Sequence, residues 1–442
     1  MAELAMAPRA AAKKGLLGGL EREEALSRGA DEPGWLRSFR AAAWSAYESL
    51  PLPTRALEEW RYTEVSQLAL DEVRPVEGGI SMVPGAARAL LEGREAAGTA
   101  LLVGAAVAEI TLDPALAEQG VILTDLATAA RVHPELVRKH LGSAVPADRD
   151  KLAALNGAMW TAGLFLYVPR NVRVEKPIRV ARWLPEAGIA VFPRTLIVAE
   201  DNSHVAYVDE FGSPDFEEAT LSLGVVEIVA RAGADVQHVA LQQWGRGVRH
   251  LSIQKTLAGR DANLDTLVVN LGATVARVDL AAQLEGPGSR SDMLGLYFAR
   301  DDQHFDHNTR QDHVSDHANS DLLYKGALYD RSMAIFRGII RVHPGAQRTD
   351  AYQTNRNLLL SPDAQAVSLP NLEIEADDVK CSHAATVGQL DEEELFYLLS
   401  RGLTPQQAER LVIFGFFGEV LDRLPLPGVV EELKAAIEAK IR

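Results

Sequence analysis

Cysteine is almost missing from this sequence of 442 residues, because it occurs only once, at Cys381. A lone thiol cannot form an internal disulfide, so a secreted scaffold held together by disulfides is excluded. A four-cysteine zinc or iron–sulfur site is excluded as well, since such a site needs about four thiolates.

Long apolar runs and an excess of basic charge are also lacking. The longest uncharged run, residues 152–169, falls short of the ~20 apolar residues that a membrane-spanning helix needs. Residues 1–14 have no continuous apolar stretch, so we expect no signal peptide. The chain has 45 Lys and Arg against 61 Asp and Glu, a net charge of −16, which disfavours binding to nucleic acid or anionic membranes. We expect a soluble, cytoplasmic protein.

Several common enzyme motifs do not occur. The sequence has no Gly-Lys dipeptide, which excludes a P-loop ATPase within this chain. It also has no His-Glu-x-x-His zinc motif and no Gly-x-Ser-x-Gly nucleophile elbow. These absences weaken the hypothesis of an enzyme but do not exclude it.

The hydrophobic pattern divides the chain into three regions. Apolar residues recur at helical spacing over 36–50, and short buried strands are predicted at 101–107 and 120–123. The predicted domains are an N-terminal helical and mixed region, a β core and a C-terminal helical region, over 1–150, 151–385 and 386–442.

Between residues 192 and 342, short β-rich runs dominate and helical periods are absent. Residues 276–280 alternate apolar and polar side chains with the strand period of two. The turn glycines Gly233, Gly259 and Gly286 are 26 and 27 residues apart. This spacing is compatible with the coils of a β-solenoid, but a sandwich with long hairpins would produce a similar pattern.

The C-terminal region carries strong helix signals. Asp391 is predicted to cap a helix that begins with three glutamates and ends at Gly402. Residues 404–407 form a capping-box pattern that opens a second helix. Residues 411–417 are apolar nearly all round, so this helix must be buried within the chain or against a partner.

The densest polar cluster lies between Asp301 and Asp321. Imidazoles and carboxylates are ligands for Fe(II), zinc or manganese, and a helix there would place His313 and His317 on one face. The alternatives are an ordinary polar surface, or the carboxylates of a β-solenoid hydrolase or lyase that acts on carbohydrates. The cluster contains the histidines His304, His307, His313 and His317.

A second constellation contains Cys381 and His383. In an extended segment residues i and i+2 project to the same side, so this thiol and this imidazole can act together. Such a pair suits the ligation of a soft metal or an activated thiolate, which Lys380 would favour. A Cys–His hydrolase and an inert, buried cysteine are the alternatives.

Beyond these patterns, the sequence resembles a known family. Residues 374–403, which include Ala376-Asp377-Asp378-Val379-Lys380-Cys381-Ser382-His383, resemble the SufB/SufD family of iron–sulfur cluster assembly scaffolds. Residues 336–342 and 346–353 fit the same family, and Glu59-Trp60-Arg61-Tyr62-Thr63 is similar to its SufD branch. One departure is Ala384, where the family usually has glycine; a positive φ at this position would be strained for alanine.

The resemblance implies a right-handed parallel β-helix core with helical segments on either side, and a non-catalytic scaffold subunit. It also implies a SufB-like partner that pairs through the β-helices, and a SufC-like ABC-type ATPase that docks on the C-terminal helices. A possible homodimer is expected for the isolated chain. The ATPase-docking residues that it suggests are Leu395, Phe396, Leu411, Phe414 and Phe417.

For the site, the resemblance places Cys381 and His383 at the interface between the two scaffolds. They would hold iron or a nascent cluster transiently, with no cofactor stably bound to the chain alone. Possible further iron ligands are His307, His313 and His317.

Overall fold

The chain forms a long β core with helices at both ends. The structure is a computed structural model that describes residues 17, 19–76, 82–424 and 426–441. The expectation about a signal peptide concerns residues 1–14, which lie outside the described residues. The described helices are α1 Arg22–Ser27, α2 Gly34–Ser49, α3 Gly85–Ala89, α4 Pro114–Glu118, α5 Leu126–Val132, α6 Pro134–His140, α7 Lys151–Met159, α8 Glu392–Ser400, α9 Pro405–Leu421 and α10 Pro427–Ile441.

The strands are numbered in chain order, and two short 3-10 helices, Glu58–Trp60 and Val65–Leu68, precede them. The described strands are β1 Arg74–Pro75, β2 Gly98–Val103, β3 Ala106–Leu112, β4 Ile122–Asp125, β5 Gly163–Val168, β6 Ile178–Trp183, β7 Ile189–Val191, β8 Arg194–Ala199, β9 His204–Gly212, β10 Thr220–Ala230, β11 Asp235–Gln243, β12 Val248–Ala258, β13 Asn263–Asn270, β14 Val275–Leu284, β15 Arg290–Ala299, β16 His304–His313, β17 Asn319–Leu328, β18 Met333–Val342, β19 Asp350–Leu359, β20 Gln365–Ile374 and β21 Lys380–Gln389.

Successive strands alternate between two parallel sheets. One sheet runs in the order β20-β18-β16-β14-β12-β10-β8-β5, and the other runs β21-β19-β17-β15-β13-β11-β9-β6. Each coil therefore adds one strand to each sheet, which makes a parallel β-solenoid of about eight turns. This resolves the choice between a solenoid and a sandwich. The predicted domain boundaries near residues 150 and 385 stay predictions.

Backbone hydrogen bonds stack the predicted turn glycines on neighbouring coils. The amide of Gly233 donates to the carbonyl of Arg260, and the amide of Gly286 donates to that of Ala258. Only Gly233 of these has a positive φ, 66°. The regular spacing of these glycines therefore reflects the length of one coil.

One predicted strand is wrong in its extent. Residues 101–107 do not form a single strand, because the chain reverses at Gly104, whose φ is 57°. β2 and β3 pair in antiparallel fashion across this turn. This hairpin lies at the N-terminal end of the solenoid, where β2 also pairs with β6.

Helices cover part of the outer face of each sheet. The predicted helix over 36–50 is present as α2, which packs with α7 on the first sheet, where Leu196, Leu223 and Ile253 are buried. The C-terminal helices cover the second sheet, and Phe417 of α9 contacts Phe298 with ring centroids 6.3 Å apart. The apolar character of α9 is thus explained in part by burial within the chain.

The predicted caps of the C-terminal helices are confirmed. Asp391 accepts hydrogen bonds from the amides of Glu393 and Glu394 at the start of α8. Thr404 and Gln407 form the capping box of α9. Gly402 has a φ of 92° just after α8, which only glycine adopts without strain.

The C-terminal end of the solenoid is open. β20 pairs with β18 and β21 pairs with β19, and no other described strand pairs with either of them. No residue of β20 or β21 reaches full burial, in contrast to the solenoid strands from β5 to β19. The last coil therefore presents two unpaired strand edges and the end of the solenoid interior.

Candidate functional site

Cys381 and His383 both lie on the terminal strand β21. Their register partners on β19 are Ala351 and Gln353, which are at most 1 % exposed and point into the solenoid. Because side chains alternate along a strand, Cys381 and His383 share this inward face, as the period of two predicts. The open end of the solenoid therefore presents a thiol and an imidazole side by side.

Cys381 is half-buried rather than enclosed. It contacts a small apolar cluster that includes Ile340, Val342 and Ala346. This burial raises the pKa of the Cys381 thiol, and the negative charge of Asp350 raises it further. The expectation that Lys380 favours the thiolate is wrong, because the side chain of Lys380 is exposed and burial dominates. The free thiol is therefore protonated at neutral pH.

The side chain of His383 is exposed and forms no hydrogen bond with another described residue. Both ring nitrogens are therefore available to a ligand. Ala384 follows within the strand and is not among the described residues with a positive φ. The strain expected from alanine at this position does not arise.

The two residues supply one sulfur and one nitrogen donor. Among the described residues, no group of three or more His, Cys, Asp and Glu side chains is arranged to hold a metal ion. Iron and iron–sulfur clusters usually take about four protein ligands. The donor set at the open end is therefore a partial one, and the unpaired edges beside it are accessible to a second chain.

The histidines between Asp301 and Asp321 are not brought together. His307 and His313 are buried on β16, and six residues of strand separate them by about 20 Å. His313 hydrogen-bonds Ser320 through Nε2 at 2.8 Å. His317 is exposed in a turn with a φ of 56° and pairs with Asp316. The segment is not helical, so the predicted shared face of His313 and His317 is wrong.

Five carboxylates of the same segment pair with basic side chains. The paired atoms lie within 3 Å of each other in all five cases. The pairs are Asp302 with Arg331, Asp306 with Arg277, Asp312 with His343, Asp316 with His317, and Asp321 with Arg423. Each of these carboxylates is therefore already engaged with a basic side chain, whereas a glycoside hydrolase needs a pair of carboxylates that face its substrate.

The C-terminal helices carry an exposed apolar surface. Phe396 is 73 % and Leu411 is 53 % exposed, whereas Leu395 and Phe414 are half-buried. Phe417 is fully buried against the solenoid, so its side chain belongs to the core and not to a docking surface. Sequence reasoning missed Tyr397 and Leu399, which are 55 % and 40 % exposed. The helical spacing of Phe396 and Leu399 was the signal for Leu399, since i and i+3 share a face.

No described helix has both the length and the apolar content to cross a membrane.

Comparison with known proteins finds matches over most of the chain. The family model described as "SUF system FeS cluster assembly, SufBD core domain" matches residues 183–416, and "SufBD protein N-terminal region" matches residues 97–180. The iron-sulfur cluster assembly protein SufD of Bacillus subtilis is 32 % identical over 93 % of this chain and 95 % of its own length.

Two other relatives are also similar. An iron-sulfur cluster assembly SufBD family protein of Mycobacterium leprae is 36 % identical over 66 % of this chain and 75 % of its own length. One of Staphylococcus epidermidis is 28 % identical over 92 % of this chain and 89 % of its own length. With a core-domain match over more than half of its residues, the chain belongs to the SufB/SufD family of iron–sulfur cluster assembly proteins.

Proposed function

We propose that this chain is a SufD-like, non-catalytic scaffold subunit of a cytoplasmic assembly complex. In this proposal a SufB-like chain pairs with the open end of the solenoid, and iron or a nascent cluster forms between the two chains. The observation that carries the proposal is the position of Cys381 and His383 on the inward face of β21, whose outer edge is unpaired in the described residues. In the absence of the partner, the same edges would allow two copies of this chain to pair.

The chemistry follows from the donors. Iron binds the thiolate of cysteine and the neutral imidazole of histidine, so the Cys381 thiol loses its proton when iron arrives. The raised pKa keeps this thiol protonated until then, which limits its reaction with disulfides and oxidants. The SufB-like chain would supply the remaining ligands and exclude water from the site.

Removal of either donor should lower cluster formation. We expect Cys381→Ser and His383→Asn to reduce the cluster content of a co-purified complex at least ~10-fold, because each removes a ligand of the proposed site. The measurement is iron and acid-labile sulfide per complex after co-expression with SufB-like and SufC-like proteins. Ser382→Ala is the matched control, since Ser382 lies between them on the opposite face. Normal cluster content in both donor variants would reject the site.

The reactivity of Cys381 should depend on pH in a specific direction. Since burial and Asp350 raise the thiol pKa, we expect the alkylation rate of the isolated chain to rise with a midpoint above the ~8.5 of free cysteine. Cys381 is the sole cysteine, so iodoacetamide reports this residue alone. His383→Asn should leave the midpoint unchanged. A midpoint well below 8.5 would instead support the activated thiolate of a Cys–His hydrolase.

We propose further that the exposed apolar surface of α8 and α9 binds the ABC-type ATPase. Leu411→Glu should weaken the binding of a purified SufC-like protein at least ~10-fold, because it places a charge in the centre of an apolar contact. Calorimetric titration measures the effect. Val132→Glu is the control, since Val132 is a 63 % exposed apolar residue in the N-terminal region. If Leu411→Glu bound the SufC-like protein as tightly as Val132→Glu does, this surface would be excluded as the docking site.

A further inference from the structure

Three small cavities form a row inside the solenoid, near its N-terminal coils. The largest has a volume of about 20 Å³, and the other two are about 10 Å³ each. Arg182 lines both of the smaller cavities. Asp209 and His250 line the largest cavity and also one of the smaller ones, so the three cavities are neighbours. Because one water molecule needs roughly 10–15 Å³ measured in this way, each cavity has room for about one.

The cavities are lined by polar atoms that have no hydrogen-bond partner among the described residues. None of the side chains that carry these atoms is more than 5 % exposed. Buried polar atoms are normally hydrogen-bonded, and these seven line cavities with room for water, which indicates a polar partner other than the protein. The atoms are Nη1 of Arg182, Oδ2 of Asp209, Oγ of Ser222, Nδ1 and Nε2 of His238, Nε2 of Gln254 and Oδ1 of Asn270.

The charge of the lining determines what kind of partner fits. Arg182 and Asp209 neutralise each other through a hydrogen bond of 2.7 Å. Burial lowers the pKa of His238 and of His250 to about 3, so both imidazoles are neutral at physiological pH. The lining has both donors and acceptors and no net charge. Neither an anion nor a cation is favoured in such an environment, whereas water both donates and accepts.

We propose that the solenoid interior binds a short file of ordered water molecules in these cavities. Water bound there donates to the free oxygen of Asp209 and to Asn270, and accepts from Arg182 and Gln254. The two ring nitrogens of His238, one a donor and one an acceptor, bind water on either side. The water is part of the folded structure, because without it each of these groups carries the cost of an unmade hydrogen bond.

A second polar cluster in the same interior provides a contrast. Asn357 donates to Oδ1 of Asn355 and accepts from the hydroxyl of Tyr297, so its amide is satisfied by the protein. Asn355 in turn donates to the Tyr297 hydroxyl and to the carbonyl of Tyr324. This cluster needs no water. Asn357→Leu, which removes an amide bound by protein, is therefore a matched control for Gln254→Leu, which removes an amide bound by water.

The decisive measurement is a crystal structure of the full chain at about 1.5 Å resolution. We expect water within 2.7–3.2 Å of Asp209 Oδ2, His238 and Gln254 Nε2. Crystals soaked in bromide should show no anomalous scattering there. Empty cavities, cavities closed by repacked side chains, or bromide in the site would each overturn the proposal.

Unfolding of two variants gives an independent test. In Gln254→Leu the new aliphatic side chain lies between its register neighbours Val226 and Leu280. The water that Gln254 binds moves into bulk solvent in this variant. We expect its melting temperature to stay within ~2 °C of the parent, whereas Asn357→Leu should lower it by ~3 °C or more, since it leaves protein groups unpaired. An equal loss in both variants would argue that Gln254 is bonded to protein and not to water.

Discussion

Gly326→Ala should destabilise the chain by about 3 kcal/mol or more, because a methyl group at this position has no space. A Cβ atom at residue 326 would lie 1.8 Å from the ring of Tyr297. Tyr297 is the register partner of Gly326 on the neighbouring strand, so its ring covers the glycine. The ring cannot move aside, since its hydroxyl is held by Asn355 and Asn357 inside the solenoid.

The expected loss is measured by urea-induced unfolding of the purified chain. Gly345→Ala is a suitable control, because a Cβ atom at residue 345 meets no other atom within 4 Å and its φ is not positive. Gly295→Ala should behave like Gly326→Ala, since its Cβ would lie 2.3 Å from the Tyr324 ring. If Gly326→Ala unfolded at the same urea concentration as Gly345→Ala, that result would contradict the close packing of the Tyr297 ring on Gly326.

The polar and aromatic side chains inside the solenoid explain why the sequence only partly predicts this fold. The predicted alternation over residues 276–280 lies within β14, whose inward positions there carry Ala276, Val278 and Leu280. The apolar pattern does not identify β16, β17 or β19, because their inward positions carry His307, Tyr324 and Asn355. His307 hydrogen-bonds Asn270, and Asn355 hydrogen-bonds the hydroxyl of Tyr297 and the carbonyl of Tyr324, which are 31 to 58 residues away in sequence. No local sequence pattern records those contacts.

The candidate site was predictable to a similar extent. The period of two is sufficient to place Cys381 and His383 on one side of a strand. The raised thiol pKa was not predictable, because it depends on Ile340, Val342 and Asp350 of earlier coils. Likewise, the apolar run of α9 predicts burial or docking, but only the packed helix distinguishes the buried Phe417 from the exposed Leu411.

Glu227→Ala should cost about 3–5 kcal/mol, since it breaks a fully buried ion pair and leaves the cation alone. Glu227 and Arg194 are both 0 % exposed, and Oε1 of Glu227 lies 2.5 Å from Nη2 of Arg194. The same carboxylate accepts hydrogen bonds from the backbone amides of Gly142, Ala144 and Val145 at 3.0–3.1 Å. One side chain of the solenoid thus holds the loop between α6 and α7.

The size of the loss is measured by urea unfolding, or by the soluble yield if the variant does not fold. Asp302→Ala is the contrasting case, because the Asp302–Arg331 pair is about 70 % exposed and should contribute less than ~1 kcal/mol. The double variant Arg194→Met/Glu227→Leu removes the stranded charge but leaves the three loop amides without an acceptor. We therefore expect its stability to lie between those of Glu227→Ala and the parent. A double variant as unstable as Glu227→Ala would mean that the amides of the loop, and not the buried Arg194, determine the cost.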